Sequence, residues 1–136
     1  MRRALFTDPR EPVFDSHFSP GFLAGPLVFV SGQLPLDERG AVEGGDDVEA
    51  QARRVFRNIE RVLAEAEATL RDVVQVNVFL LDIGDIPRIA NLRRELFGEH
   101  PPASTAVEVS GLVVPGCKIE INAVALRDGA WVADRS

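Results

Sequence analysis

The chain has 136 residues, of which 46% are hydrophobic and 26% charged. That length suits one domain burying roughly two-thirds of its unfolded surface, and the composition excludes a disordered chain. The formal net charge of -6 opposes a polyanionic partner, so nucleic acid is disfavoured. A single cysteine, Cys117, excludes an internal disulfide and points to a reducing compartment. Arg2 and Arg3 are followed by no long apolar run, so neither signal peptide nor membrane span is expected, and the protein reads as cytoplasmic.

In chain order, Leu5 and Phe6 open a short strand, and Pro9 and Pro12 hold an extended segment up to Phe14. Residues 17–21, from His17 to Gly21, read as a loop before a β-rich run at 27–31, which Gly32-Gln33 and Pro35 close. A helix follows, because Val48, Ala52, Val55, Ile59, Val62, Leu63 and Ala66 recur every three or four residues. Asp46 and Glu49 have the spacing of a capping box, and the periodicity predicts an end near Ala68 or Thr69. Residues 73–81 are too β-branched and alternating for a helix, and Val74, Val76, Val78 and Leu80 make one apolar face.

A second helix is predicted from Asp85 to Gly98, with Pro87 in its first turn where a missing N–H does no harm. Two strands complete the order, at 101–109 and 117–125. In the latter, Cys117, Ile119, Ile121, Ala123 and Ala125 take one face, and Lys118, Glu120, Asn122, Val124 and Leu126 the other. Residues 125–136, with Trp131, form a tail or a last edge element. The order β-β-α-β-α-β-β describes one α+β domain over residues 1–136, a mixed sheet with both helices on one face.

Two helices cover only one face of such a sheet. The other mixes Phe29 or Phe79 with Gln75, Asn77, Glu120 and Asn122, a blend closer to a wet interface than to a core or a solvent face. The expectation is a homo-oligomer packed sheet to sheet, with pockets at subunit boundaries.

No strong motif stands alone. Gly44-Gly45 lacks the spacing of a phosphate loop, and Ser31 lacks the Gly-x-Ser-x-Gly elbow of a hydrolase. His17, His100 and Cys117 do not make a metal cluster, so neither metal nor cofactor is expected. Arg53, Arg54, Arg57 and Arg61 read as a solvated helix face with intrahelical pairs. Glu120, a carboxylate in an apolar strand, is either a paired sheet-end charge or a chemical group, the two readings being equally weighted on the residues alone. Asn122 on the same face either orients a water or satisfies the sheet edge. Ser104 and Thr105 either bind a ligand or begin a strand.

Taken together the residues resemble the Rid/YjgF family of reactive-intermediate deaminases. The likeness runs from Gly25 and Val28-Phe29-Val30-Ser31-Gly32-Gln33-Leu34-Pro35, through Gln51-Ala52, Asn58-Ile59 and Val62-Leu63, to Asp72-Val73-Val74, Val78-Phe79-Leu80 and Asp82. It continues with Asn91, Phe97, Pro102-Ala103, Ile119-Glu120-Ile121 and Ala123. The resemblance implies a fold like that of the bacterial chorismate mutases, assembled as a homotrimer around a sheet-lined barrel with ligand clefts between subunits. It also implies cofactor-free hydrolysis of enamines and imines to 2-oxo acids and ammonia.

In that family an arginine of a Pro-Ala-Arg motif grips the substrate carboxylate, and a last-strand glutamate with an early tyrosine positions water. Here Ser104 stands in the arginine's place, Phe18 in the tyrosine's, and Asn122 in that of a second glutamate; the chain has no tyrosine. Losing a forked guanidinium–carboxylate pair costs roughly 2–5 kcal/mol of binding when the remaining charge stays buried. The resemblance thus implies altered substrate recognition, unless Arg93, Arg94 or another chain's arginine reaches in. It makes Glu120 the catalytic acid/base, and Phe18, Ser31, Gly32, Asn91, Ser104, Ala106 and Asn122 the lining of a small-molecule pocket. The alternatives are a non-catalytic ligand-binding or stress-protective role and, disfavoured by charge, an endoribonuclease.

Overall fold

A computed structural model describes residues 2–5 and 18–127. The expectations for Phe6, the 9–14 segment, His17 and the tail with Trp131 lie outside the described residues. Six strands and two helices are present: β1 (Arg2–Leu5), β2 (Gly21–Ala24), β3 (Leu27–Gln33), α1 (Val48–Ala64), β4 (Val73–Leu80), α2 (Ile86–Phe97), β5 (Ala103–Glu108) and β6 (Ile119–Leu126). They form one sheet in the order β1-β2-β3-β6-β4-β5. Every neighbouring pair is antiparallel except β4 with β5, which α2 joins as a parallel crossover.

The α+β reading holds, with three strands rather than two before α1. The missed one, β2, has only four residues and opens at Gly21, where a loop was expected. It turns into β3 through Gly25-Pro26, with Gly25 at φ 58, the positive value that a two-residue hairpin loop requires at its first position.

Helix α1 also departs from its periodicity. Its N-cap is Asp47, not Asp46, with Oδ1 accepting the Glu49 amide at 3.0 Å. The helix stops at Ala64, because Glu67 takes φ 58 and the Ala68 amide folds back onto the Leu63 carbonyl at 3.0 Å. Ala66 and Ala68 remain buried, which is why the apolar repeat overshoots the backbone's end. On β4 a register shift between Val73 and Gln75 turns Val74 out, so Val73, Val76, Val78 and Leu80 are the buried face.

The core lies between sheet and helices. Val28, Val30, Val76, Val78, Ile119, Ile121, Ala123 and Ala125 from the sheet meet Ala52, Val55, Phe56, Ile59 and Leu63 of α1 and Ile89 and Leu92 of α2. Phe56 and Phe97 lock the two helices edge to face, with ring centroids 5.6 Å apart. Strand β6 alternates as its sequence predicts, Ile119 to Ala125 inward and Glu120 to Leu126 outward, while Cys117 sits buried just before it. Among the described residues no helix is long and apolar enough to cross a membrane.

A candidate site on the open sheet face

The face away from the helices carries the polar residues that the alternation assigned to it. Cross-strand neighbours share a face, so Val107, Phe79 and Glu120 form one row across β5, β4 and β6. Phe22, Phe29, Val124 and Gln75 form a second row two steps away, running from β2 through β3 and β6 to β4. Phe29 is 42% exposed and Phe22 38%, large rings left uncovered on a sheet surface. The row between them is a polar bridge in which Asn77 Nδ2 donates to Asn122 Oδ1 at 2.9 Å.

Glu120 occupies a built niche. A Cβ added at Gly32 would meet its carboxylate, with the Glu120 Cδ only 2.8 Å away, so the bare glycine is what lets the acid lie against β3. Beside it, Ser31 donates from Oγ to the Ser19 carbonyl at 2.6 Å, and its amide donates to the Pro20 carbonyl at 2.9 Å. Those bonds fasten the segment carrying Phe18, itself 54% exposed, against β3. Glu120 has no hydrogen-bond or ion-pair partner among the described residues, and partial burial pushes its carboxyl above the usual glutamate range. The sheet-end ion pair is therefore not formed among the described residues. Burial and then the Glu120 charge push the Cys117 thiol up as well, which keeps it protonated.

The remaining candidates lie in the other layer. Ser104 shares the β5 face of Ala106, which packs on the core, and Ser104 Oγ accepts from Arg93 of α2 at 2.7 Å. Asn91, exposed on α2, accepts from Arg94 at 2.7 Å through Oδ1. Thus Phe18, Ser31, Gly32, Glu120 and Asn122 gather on or beside the open face. Asn91, Ser104 and Ala106 gather at the α2–β5 edge, with the sheet between the two groups.

What aligns the first group is a set of polar α1 side chains that face the protein instead of water. Gln51, fully buried, donates to the Gly45 carbonyl at 2.7 Å and the Gly116 carbonyl at 2.9 Å, and accepts the Lys118 amide at 2.7 Å. Asn58 donates to the Leu34 and Leu36 carbonyls, each at 3.0 Å. Arg54, expected on a solvated face, is 3% exposed; it donates to the Leu36 carbonyl at 3.0 Å and pairs with Glu38 and Glu43. Its neighbours Arg53 and Arg57 are solvated as expected. These bonds clamp the segment leaving β3 after Gly32 and the turn entering β6 before Glu120. Sequence reasoning passed over them because a polar residue at a helical interval looks the same whether it meets water or a loop carbonyl.

No group of three or more His, Cys, Asp or Glu set to hold a metal ion occurs among the described residues. Chemically, the open face offers an acid that holds its proton more tightly than an ordinary glutamate and can give or take one, between an aromatic ring and a bare backbone.

The family model described as Endoribonuclease L-PSP matches residues 9–127. A RutC family protein of Pyrococcus abyssi is 38% identical over 128 residues, covering 93% of this chain and 98% of the relative. The 3-aminoacrylate deaminase RutC of Acinetobacter baylyi is 42% identical over 108 residues, covering 79% of this chain and 85% of its own length. The crystal structure of the Escherichia coli YjgF gene product superposes with a TM-score of 0.80 at 30% identity, over 92% of this chain and 98% of that one.

Proposed function

The chain belongs to the Endoribonuclease L-PSP family, the YjgF/Rid/RutC proteins, and from that membership we propose that it hydrolyses a small reactive imine or enamine with Glu120 as acid and base. The observation that carries the reading is the Glu120 carboxyl, its pKa raised by burial, lying against Gly32 with no partner among the described residues. The relative named 3-aminoacrylate deaminase acts on an enamine of this kind.

The proton balance fits one carboxyl group. Protonated Glu120 gives its proton to the enamine carbon or imine nitrogen, leaving a cationic C=N carbon beside a carboxylate. The carboxylate then takes a proton from water as its oxygen adds to that carbon. Returning the proton to nitrogen lets ammonia leave, and the hydroxyl proton passes back to Glu120 as the carbonyl forms, which restores the protonated acid. Imine or enamine plus water becomes carbonyl plus ammonia, with no change of oxidation state and no demand for a cofactor.

The site is completed by assembly. Ser104 and Asn91 lie a layer away from Glu120, so a cleft using both groups takes them from two copies, and the uncovered Phe22 and Phe29 give such copies an apolar surface to meet on. A homotrimer with three such clefts is the arrangement proposed. The endoribonuclease reading that the family's description suggests is opposed by the net charge of -6 and by an open face whose ionisable group beside Phe79 is an acid.

Glu120→Gln tests the reading. It should leave the assembly's size unchanged in light scattering while abolishing release of ammonia from enzymatically generated imines. Unchanged release would remove Glu120 from the mechanism.

A further inference from the structure

The polar row of the open face lies between the Phe79–Glu120 row and the Phe29–Val124 row, and it carries no charge. Thr105 on β5 stands opposite Asn77 on β4, and Asn77 opposite Asn122 on β6. On the other side of β6 the ladder slips: Val30 pairs with Ala123 and Gln33 with Ile121, so Asn122 alone faces both Ser31 and Gly32. The row thus runs from an exposed threonine, through two partly buried asparagines, to a bare glycine. The Asn77–Asn122 bond uses one N–H of the first and one lone pair of the second. Asn77 Oδ1, both N–H groups of Asn122 and the Thr105 hydroxyl have no partner among the described residues.

Such a row sorts ligands by charge and by the order of donors and acceptors. Among the described residues of β3, β4, β5 and β6, this face holds one ionisable group, Glu120. Lys118, just ahead of β6, lies on the opposite side of Glu120 from Asn122. A carboxylate placed on the row would meet no cation there, would have no N–H for Asn77 Oδ1, and would sit one row from an acid. A lone hydroxyl answers one amide at a time. A planar group with C=O and N–H side by side answers both, its oxygen accepting from Asn122 Nδ2 and its nitrogen donating to Asn77 Oδ1. Successive rows on one face are roughly 6–7 Å apart, so a small molecule held here reaches the Glu120 carboxyl.

We propose that Asn77 and Asn122, with Thr105 beside them, bind an uncharged carboxamide or ureido group, so that the imine or enamine presented to Glu120 carries a neutral amide in place of an acid. The inference rests on the proposed function for the chemistry at Glu120, whereas the amide site stands on the row itself. Asn122 is then a specificity residue, and it acts one step along β6 from the acid that moves the proton.

The test is ligand-detected NMR titration of the full chain with 3-oxobutanamide, whose enamine is of the proposed class, and with 3-oxobutanoate, in which a negative oxygen replaces the NH2 group. Wild type should bind the amide about tenfold more tightly than the acid, or better. Asn122→Leu should weaken the amide about tenfold. Asn122→Asp matches asparagine in size and still accepts from Asn77, but it has lost both donors; it should weaken the amide equally, which separates loss of the site from misfolding. No binding by wild type, acid bound as tightly as amide, or unaltered amide affinity in both variants would overturn the proposal. So would a changed assembly size in both variants by light scattering, which would assign the row to contacts between copies. Ammonia release lost in Glu120→Gln together with Asn122-independent binding would sink this inference and spare the proposed function. Asn122-dependent amide binding with release intact in Glu120→Gln would do the reverse.

Discussion

Glu120 lies partly out of water beside Gly32 and Phe79 with no counter-charge among the described residues, and this has a consequence for stability as well as for the proposed catalysis. Its folded pKa lies above its unfolded value, so the native state keeps a proton that the unfolded chain has released. The contribution to stability is therefore complete below the unfolded value and is lost as pH rises through the folded one. Urea midpoints in a pH series at fixed protein concentration should show Glu120→Gln gaining on wild type across that window; parallel profiles would mean the carboxyl is not desolvated. Glu120 was legible because a lone acid breaks an apolar alternation. Arg93 was legible only as one of several arginines, since its bond to Ser104 depends on how α2 is set against β5. Arg54 was misread, because burial of a charged helix residue depends on a loop that folds over it.

At the level of elements, α1 does two jobs with two faces. Its apolar side builds the core, and its Gln51–Arg54–Asn58 side fixes the segments leading out of β3 and into β6. Gln51→Leu would leave the Gly45 and Gly116 carbonyls and the Lys118 amide without partners. At about 1–3 kcal/mol for a buried group left unsatisfied, a loss of roughly 2–4 kcal/mol in urea unfolding is expected. A loss below about 0.5 kcal/mol, the scale of an ordinary surface change, would show that water replaces the side chain. The same variant should lower turnover, since the clamp ends at Lys118, two residues before Glu120. Long periodic elements such as α1, α2, β4 and β6 declared themselves in the sequence. Strand β2 did not, because four residues that begin on Gly21, straight after Pro20, give no measurable alternation and its pairing with β1 and β3 is a tertiary fact. The end of α1 was overrun because burial of Ala66 and Ala68 outlasts the helix.

For the whole molecule the sheet's uncovered face is the organising fact, and it was foreseen by counting helices against strands. Phe29→Asp places a charge in the middle of the exposed aromatic row, next to Val124 and Phe22. It should turn the assembled protein into monomers in light scattering at micromolar concentration and remove turnover with it. A wild type that is already monomeric there would defeat the proposed assembly. What the chain could not reveal by itself is that Ser104 and Glu120 fall on different layers, because β5 and β6 are brought together only through β4.

Strand β5 ends the sheet, and one of its two hydrogen-bonding edges has no neighbour among the described residues. Its sequence, Ala103-Ser104-Thr105-Ala106-Val107-Glu108, carries neither lysine nor proline, the residues that usually blunt such an edge. A protomer outside the proposed assembly would thus offer a ready template for strand addition beside the Arg93–Ser104 pair. If the proposed assembly and activity hold, dilution or any substitution that loosens the assembly is expected to expose the chain to aggregation as well as cost it activity, tying solubility and catalysis to the same contacts.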